Sequence, residues 1–223
     1  LREDMSKTVV IIGGHGKVAR IAGPLFAEGG YAVRAWVRNP AHVEEVSVAS
    51  VKGELNSIEQ MDQEKIAKEL EGVDAILWSA GAGGGDPERT LGVDRDAAIR
   101  TMEAAKAAGV KRFVMVSYDG ANAQGEPDKS TDFHYYWQAK KQADEHLRES
   151  GLDWTILAPG PLTLDKGTGR VDAEPGSDGR RRISRANVAQ VAVTATDEPH
   201  TVGKTVLLAD GDTPVADYLA NLS

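Results

Sequence analysis

Several features that define common protein classes are missing from this sequence. It contains no cysteine, which excludes a disulfide framework, thiolate chemistry and cysteine-ligated metal sites. It has no run of about 18 apolar residues, so no segment is expected to cross a membrane. Its charged first residues also lack the apolar segment of a secretory signal. Together these absences predict a cytoplasmic location.

Positive charge is also scarce. Lysine and arginine number 26 against 34 aspartates and glutamates, which gives a formal net charge of −8. A broad nucleic-acid surface is therefore not expected, although a basic pocket for one anionic ligand is compatible with this balance. The 41% hydrophobic fraction is ordinary for a globular protein. Residues 1–4 precede the first methionine, and we interpret them as an expression remnant outside a single domain of residues 5–223.

The most informative stretch lies near the start, where an apolar run is followed at once by glycines. Residues 9–12 read Val-Val-Ile-Ile, a pattern typical of a strand buried on both faces of a parallel sheet. A helical pattern then begins at Lys17. Such a turn presents free backbone N–H groups and the positive end of a helix dipole, which suit a phosphate. Gly14, Gly16 and Ala19 fit the dinucleotide fingerprint Gly-x-Gly-x-x-Gly/Ala.

The rest of the chain alternates between strand and helix patterns. Strands are predicted over residues 31–37, 48–51, 73–79, 112–117, 153–158 and 205–209, and helices over residues 17–28, 57–70, 87–108, 133–150, 188–195 and 215–222, with one more helix starting near residue 41. Ser184 is expected to cap the helix that covers residues 188–195. Short β–α connections imply an α/β fold with a doubly wound parallel sheet. Residues 165–181 lack periodicity and are expected to form a mobile surface loop. They belong to a small C-terminal flap, within residues 159–200, that is expected to lie on the substrate side.

The type of nucleotide is indicated by the exit of the second predicted strand. An NAD site of this kind has a carboxylate about 20 residues after the glycines. Here the strand reads Ala-Val-Arg-Ala-Trp-Val-Arg over residues 32–38, without an acid. Arg38, at the carboxyl end, offers a permanently charged fork to a 2′-phosphate. It therefore predicts NADP, with NAD as the alternative cofactor. The competing interpretation of Arg38 is a solvated loop residue, and Arg34 is interpreted as a surface residue.

A second group of residues predicts proton-transfer chemistry. Tyr136 and Lys140 are four apart on one predicted helix, so their side chains share a face. An ammonium beside a phenol lowers the pKa of the phenol and lets it exchange a proton with a carbonyl or alcohol. Ser117, at the end of the fifth predicted strand, could donate a hydrogen bond to the substrate oxygen. The alternative is that Tyr136 only packs beside Tyr135 and Trp137.

Three further features of the sequence are candidate ligand sites. The exit of the fourth predicted strand, Ala80-Gly81-Ala82, would let backbone approach a ribose, although it could be only a connector. The five histidines show no ligand spacing, so no metal site is predicted; they are His15, His42, His134, His146 and His200. His15 could touch a phosphate or face water. The tract at residues 180–182 could meet an anionic substrate, but a solvated loop is the favoured interpretation.

With these motifs assembled, the sequence resembles the atypical short-chain dehydrogenase/reductase group, whose members are described as NAD(P)-binding epimerase/dehydratase-like or NmrA-like. The similarity covers nearly the whole chain. It is carried by Gly-Gly-His-Gly-Lys-Val-Ala at 13–19, Gly-Val-Lys-Arg-Phe-Val-Met-Val-Ser at 109–117, His-Tyr-Tyr-Trp-Gln-Ala-Lys-Lys-Gln-Ala-Asp at 134–144, Leu-Asp-Trp-Thr-Ile-Leu-Ala-Pro-Gly-Pro-Leu at 152–162, and Ile-Ser-Arg with Val-Ala at 183–189. The resemblance implies a Rossmann fold.

The resemblance also implies a set of site residues. The cofactor-binding positions would be Gly13, Gly14, His15, Gly16, Lys17 and Val18 at the pyrophosphate, Arg38 at the adenosine phosphate, Glu54 and Leu55 at the adenine, Ala80, Gly81 and Ala82 at the ribose, and Pro159, Gly160 and Leu162 beside the nicotinamide. The catalytic positions would be Ser117, Tyr136 and Lys140, of which Ser117 and Lys140 also meet the cofactor. Glu54 stands where the group usually has Asp, and Ala158 replaces a common Arg.

These observations predict an NADP(H)-binding oxidoreductase that acts on a small carbonyl or hydroxyl compound by hydride transfer. The expected partners are a nicotinamide dinucleotide and a small-molecule substrate, with neither nucleic acid nor membrane. Two alternatives stay open, since a shared fold does not fix the reaction. One is a regulatory NADP sensor without turnover. The other is an NAD-dependent sugar-nucleotide epimerase or dehydratase, which the short C-terminal portion disfavours. The sequence does not indicate whether the protein is a monomer or an oligomer.

Overall fold

The computed structural model describes residues 6–82, 86–121, 125–175, 179 and 181–223. The strands are β1 Thr8–Ile12, β2 Ala32–Val37, β3 Val51–Leu55, β4 Ala75–Trp78, β5 Arg112–Val116, β6 Asp153–Pro159, β7 Leu162–Thr163, β8 Arg170–Asp172, β9 Ile183–Ser184, β10 Lys204–Asp210 and β11 Thr213–Pro214. The helices are α1 Lys17–Glu28, α2 His42–Val46, α3 Gln63–Glu69, α4 Pro87–Thr90, α5 Ala98–Ala108, α6 Asp132–Glu149, α7 Arg185–Asp197 and α8 Val215–Ala220.

The main sheet has the strand order β11-β8-β10-β6-β5-β4-β1-β2-β3. All pairs from β3 to β10 along this order are parallel, and β8 and β11 add antiparallel pairs at one edge. The chain first builds outward from β1 to β3 and then returns to build from β4 in the other direction. This order confirms the doubly wound α/β fold. β7 and β9 form a separate two-stranded sheet.

The core lies on both faces of the sheet because successive strand residues point to opposite sides. Val9 and Ile11 belong to one buried cluster, together with residues of α1 and α7. Val10 and Ile12 belong to the other, with residues of α3 and α5. All four are at most 1% exposed. Burial on both faces explains why β1 is an unbroken apolar run.

The third strand lies later in the chain than expected. The sequence predicted a strand over residues 48–51, whereas β3 starts at Val51 and pairs with β2 as far as Leu55. Ala49 and Ser50 have left-handed φ values of 47° and 68°, so they form a turn. The prediction was wrong because it relied on the short apolar run at residues 48–51. Parallel pairing with β2, which the local sequence does not specify, places the strand at residues 51–55.

Two predicted helices have internal boundaries. The segment 57–70 divides into a 3₁₀ turn, Ile58–Gln60, and α3, which begins after Asp62 because that carboxylate accepts the N–H of Lys65 at 2.8 Å. The segment 87–108 contains a π-helical stretch, Leu91–Ala97, between α4 and α5. A π-bulge widens a helix locally and often occurs at functional sites.

The C-terminal portion differs from expectation in three places. β6 continues through Pro159, whereas the strand was predicted to end at residue 158. The segment predicted as a loop contains β8, which pairs with β10; its residues 176–178 and 180 lie outside the described part. The predicted cap at Ser184 is confirmed, since its side chain accepts the N–H of Asn187 at 3.0 Å, and helix α7 starts directly after it at Arg185, three residues earlier than expected. In the described ranges, no helix has the length and apolar character needed to cross a membrane.

Candidate active site

The loops after β1 and β4 meet at the carboxyl edge of the sheet, where the winding direction changes. Gly13 has φ +80°, and a Cβ placed on it would lie 2.4 Å from the Cα of Ala80. A Cβ on Gly14 would lie 2.8 Å from the Cβ of Ala35. The two glycines are thus required for close backbone packing. Ligands of open α/β sheets bind in the crevice at such a switch point.

Helix α1 begins in this crevice with its first amides uncapped. Its N-cap, Gly16, makes no side-chain capping hydrogen bond, whereas Asp62 caps α3 and Ser184 caps α7. Helix N-terminal N–H groups carry a partial positive charge and need acceptors. An open, uncapped N-terminus beside a glycine turn fits a diphosphate, which supplies acceptor oxygens and negative charge.

Two cavities share this turn. The narrow cavity has a volume of about 220 Å³ and the wide cavity about 780 Å³. Gly16, Ser79, Ala80 and Gly81 line both. The narrow cavity is also lined by Ile12, Gly13, Gly14, His15, Trp36, Val37, Arg38, His42, Asn56, Ile58, Glu59, Arg89 and Val93. The wide cavity is also lined by Lys17, Val18, Ala82, Thr90, Asp94, Val116, Ser117, Asp132, Phe133, Tyr136, Lys140, Leu162 and Arg185.

In the narrow cavity, Arg38 shares an acid with a second arginine. Arg38 Nη1 lies 3.4 Å from Glu59 Oε1, and its side chain is 59% exposed. Arg89 Nη2 donates to the same oxygen at 3.0 Å, and its Nη1 donates to the carbonyl of Ala82 at 2.7 Å. The hydrogen bond from Arg89, together with the charges of both arginines, lowers the pKa of Glu59. Arg38 is thus loosely held at the cavity, with one exposed fork available to an anion.

Histidine side chains meet at the rim of the narrow cavity, which the sequence did not predict. The rings of His15 and His42 stack with centroids 3.5 Å apart and an interplanar angle of 5°. Nitrogen atoms of both rings lie within 4.8 Å of each other and of a Glu45 oxygen, a grouping that could hold a metal ion. However, stacked parallel rings direct their in-plane lone pairs side by side, so both cannot point at one ion in this arrangement. Glu45 Oε2 instead lies 2.7 Å from His15 Nε2.

In the wide cavity, the structure brings Ser117, Tyr136 and Lys140 together. Lys140 is 1% exposed, and its ammonium donates to the carbonyl of Val116 at 3.1 Å. Tyr136 packs against Tyr118, with ring centroids 5.0 Å apart. These contacts fix the phenol and the ammonium next to the carboxyl end of β5.

The electrostatics of Tyr136 differ from expectation. Burial, followed by the charges of Asp94, Tyr118 and Asp144, raises the pKa of its phenol. The sequence predicted a lowered pKa from the ammonium of Lys140. Desolvation of the phenolate prevails because this cavity wall is aromatic and the ammonium is directed at a backbone carbonyl.

A residue that the sequence analysis missed, Asp94, also lines the wide cavity. It lies in the π-helical stretch, is 2% exposed and accepts the N–H of Ala82 at 3.3 Å. Burial raises the pKa of this carboxyl, while the charge of Lys140 opposes the rise. The available signal was spacing: Thr90, Asp94 and Thr101 are polar residues on the otherwise apolar buried face of the segment 87–108.

The comparison with known sequences decides the family. The family model described as NAD(P)H-binding matches residues 13–199. The chain belongs to this NAD(P)H-binding family. The match begins at the uncapped glycine turn and includes all the residues that line the two cavities except Ile12, so the nicotinamide dinucleotide expected from the sequence is the ligand type of the family. The predicted resemblance is confirmed.

Relatives of similar length give the same assignment. The uncharacterized sugar epimerase YhfK from Bacillus subtilis is 36% identical over 216 residues, which cover 96% of this chain and 99% of YhfK. A candidate NAD-dependent epimerase/dehydratase from Bacillus halodurans has a TM-score of 0.86 at 32% identity, covering 97% of this chain and 100% of that one. The oxidoreductase ylbE from Lactococcus lactis has a TM-score of 0.82 at 28% identity, with 96% of each chain covered. The family is thus one of NAD(P)-dependent oxidoreductase- and epimerase-like enzymes.

The adenine positions implied by family resemblance do not line the narrow cavity. Glu54 Oε1 accepts from Arg34 at 2.8 Å and from the indole of Trp36 at 3.1 Å. Leu55 is 52% exposed. Asn56, Ile58 and Glu59 line the cavity instead. The glutamate is long enough to reach along the sheet to Arg34, which uses the extra methylene that distinguishes it from Asp.

Two of the three residues predicted to lie beside the nicotinamide are packed inside the protein. Pro159 and Gly160 are buried and do not line either cavity, whereas Leu162 lines the wide one. The N–H of Gly160 donates to the carbonyl of Leu208 at 3.1 Å. Arg181 packs against Gly160 and donates to Asp119 at 2.6 Å. The side chain of Arg181 is thus engaged within the protein, and Arg180 lies outside the described residues.

Proposed function

We propose that this protein is an NADPH-dependent reductase of small carbonyl compounds. The observation that carries the proposal is that Tyr136 and Lys140 line the same cavity as the uncapped amides of α1. A group able to give a proton and the binding site for a hydride carrier therefore share one cleft. The NADP preference rests on Arg38 at the narrow cavity and on the lack of an acid in β2.

The residues present fit the cofactor. The backbone from His15 to Val18 would hold the diphosphate, Arg38 the 2′-phosphate, and residues 80–82 the ribose on the nicotinamide side. When bound, the nicotinamide ring supplies or accepts a hydride at carbon. Leu162 and the apolar wall of the wide cavity would keep water from the reacting atoms.

Tyr136 would donate its phenolic proton to the carbonyl oxygen as negative charge develops there. The phenol is protonated at neutral pH with or without this shift, and the alkoxide formed in the reducing direction is basic enough to take its proton. Lys140, whose ammonium already donates to the carbonyl of Val116, would hold a ribose hydroxyl of the cofactor. Asp94, across the cavity, would balance the buried ammonium. Ser117 would act by positioning Asp144, to which its hydroxyl donates at 2.6 Å.

The test compares NADPH and NADH binding and then turnover on a carbonyl panel. Tyr136→Phe should lower the rate of NADPH oxidation by about 100-fold or more and leave NADPH affinity within about twofold. Tyr135→Phe, a change of the same type in the neighbouring, 37% exposed tyrosine, is the matched control. An unchanged rate in Tyr136→Phe would show that Tyr136 on α6 has only a structural role. Tight binding of NADPH without turnover of any carbonyl would favour a sensor.

A second candidate, an epimerase, is favoured by the name of the relative YhfK. Such an enzyme oxidises and then re-reduces one substrate, so nicotinamide absorbance does not change overall. Product formation from a sugar substrate with bound cofactor, at constant absorbance at ~340 nm, would support the epimerase. Stoichiometric NADPH loss with a carbonyl would support the reductase.

A further inference from the structure

One cation at the wide cavity has no role in the proposed chemistry. Arg185 lines this cavity and is partly buried. Its guanidinium makes neither a hydrogen bond nor an ion pair with any residue in the described ranges. In contrast, Arg89 pairs with Glu59 and Arg181 pairs with Asp119. Arg185 therefore presents an unused planar donor fork to the space in front of Tyr136.

The backbone that carries Arg185 is firmly fixed. Ser184, fully buried, caps α7 through the N–H of Asn187 at 3.0 Å. The side-chain amide of Asn187 donates to Asp210 at 2.7 Å and accepts the N–H of Gly169 at 2.9 Å. The preceding strand, β9, pairs with β7, so that Ile183 lies opposite Leu162. The same small sheet thus places an apolar wall residue and the arginine at one cavity.

Helix stability gives no reason for an arginine here. Arg185 is the first residue of α7, where the helix dipole is positive and favours acidic side chains. The first turn of α7 contains no acid that could compensate the guanidinium. A cation at this end opposes the dipole, so helix stability does not account for it.

The two other cations that line the cavity, Lys17 and Lys140, are already accounted for. Lys17 is the first residue of α1 and lies next to the diphosphate turn, and Lys140 is bonded to the carbonyl of Val116. Apolar surface flanks the entrance: Phe133 is 53% exposed and Leu162 is 37% exposed. The cavity therefore combines an apolar wall, a proton donor and a free guanidinium.

We propose that Arg185 binds an anionic group, a carboxylate or a phosphate, on the carbonyl substrate of this enzyme. The proposal rests on the reductase function above and names its substrate class: a carbonyl group joined through a short apolar body to an anionic oxygen group. The guanidinium fork matches the two oxygens of such a group. The firmly held backbone of Arg185 would keep the bound anion on one side of the cavity, so that the carbonyl lies towards Tyr136.

The test uses three aldehydes with the same ring: 4-formylbenzoate, 4-formylphenyl phosphate and methyl 4-formylbenzoate. We expect kcat/KM to be about 10-fold or more higher for at least one anion than for the neutral ester. Arg185→Gln should lower the kcat/KM for that anion about 10- to 100-fold and leave the ester within about twofold. Lys111→Gln, which removes one positive charge at the opposite edge of the sheet, should change neither.

Several outcomes would overturn the proposal while leaving the reductase intact. Equal kcat/KM for anions and ester in the parent protein is one, and an equal loss for all three aldehydes in Arg185→Gln is another. A rise of about 10-fold in the Kd for NADPH in Arg185→Gln would assign the arginine to the cofactor instead.

Binding provides a readout that does not depend on turnover. 4-(Hydroxymethyl)benzoate, 4-(hydroxymethyl)phenyl phosphate and the methyl ester of the benzoate can be titrated into the complex of the protein with NADP⁺. Tighter binding of an anion than of the ester, lost in Arg185→Gln, would support the anion site even if no aldehyde were reduced, and the reductase alone would then be wrong. Equal binding of anions and ester would overturn the anion site.

Discussion

The hydroxyl of Ser117 donates to Asp144 Oδ2 at 2.6 Å, and both side chains are buried, with exposures of 4% and 0%. The serine at the end of β5 is thereby tied to the middle of α6, the helix that carries Tyr136 and Lys140. Sequence reasoning expected this hydroxyl to face the substrate oxygen. The structure directs it to the helix, where it fixes the distance between strand and phenol.

Ser117→Ala should therefore lower the stability of the protein more than it lowers the rate of the reaction. Removing one hydrogen bond to a buried carboxylate is expected to lower the free energy of unfolding by about 1–3 kcal/mol. Urea unfolding would measure it, with Ser57→Ala as the control because Ser57 makes no side-chain capping bond. An unchanged midpoint, together with a rate loss as large as that of Tyr136→Phe, would instead place this hydroxyl on the substrate.

The raised pKa of Tyr136 predicts the pH dependence of the phenol. Because burial disfavours the phenolate, the folded protein should hold this proton above the usual tyrosine pKa of about 10. In the unfolded chain this phenol ionises at about pH 10, whereas in the folded protein it stays protonated. Its contribution to stability is therefore present below about pH 10 and is lost as the pH rises above that value. Absorbance titration near ~295 nm, comparing parent and Tyr136→Phe, should show no difference below that pH. A phenolate signal near neutrality would contradict this.

Arg38 should determine the preference between the two cofactors. Arg38→Ala is expected to weaken NADPH binding about 10- to 100-fold, since a charge-assisted pair to the 2′-phosphate is lost, and to leave NADH unchanged. Lys52→Ala, which removes an exposed charge from neighbouring β3, is the matched control. Isothermal titration calorimetry would measure both cofactors. Arg38→Asp should shift the preference towards NAD, and equal NADPH affinities in Arg38→Ala and the parent would remove Arg38 from the site.

Glu59 should oppose NADPH binding. Its carboxylate lies 3.4 Å from the guanidinium of Arg38. It therefore competes with the 2′-phosphate for that guanidinium and also repels the phosphate. Glu59→Gln is therefore expected to tighten NADPH binding by a few-fold, with NADH less affected. Glu44→Gln, on exposed α2, is the control. Weaker NADPH binding in Glu59→Gln would show that its pairing with Arg89 is needed to shape the cavity.

The dinucleotide family could be predicted from the sequence because its determinants are local. A strand buried on both faces must be uniformly apolar, and a turn residue with a φ of +80° favours glycine, so β1 and Gly13 can be recognised without tertiary contacts. The helical spacing of Tyr136 and Lys140 is local in the same way. The placement of both at one cavity follows from the order of β–α units.

Tertiary structure alone decided which other side chains reach the cavities. Glu54 was itself predicted to meet the adenine but bonds Arg34 across the sheet, and Asp94 lines the wide cavity from the π-helical stretch. The direction of the Tyr136 pKa depends on how much solvent the packed helices exclude, and the free guanidinium of Arg185 depends on which acids lie within reach. These are distances between residues far apart in the chain, which only the packed sheet and helices set.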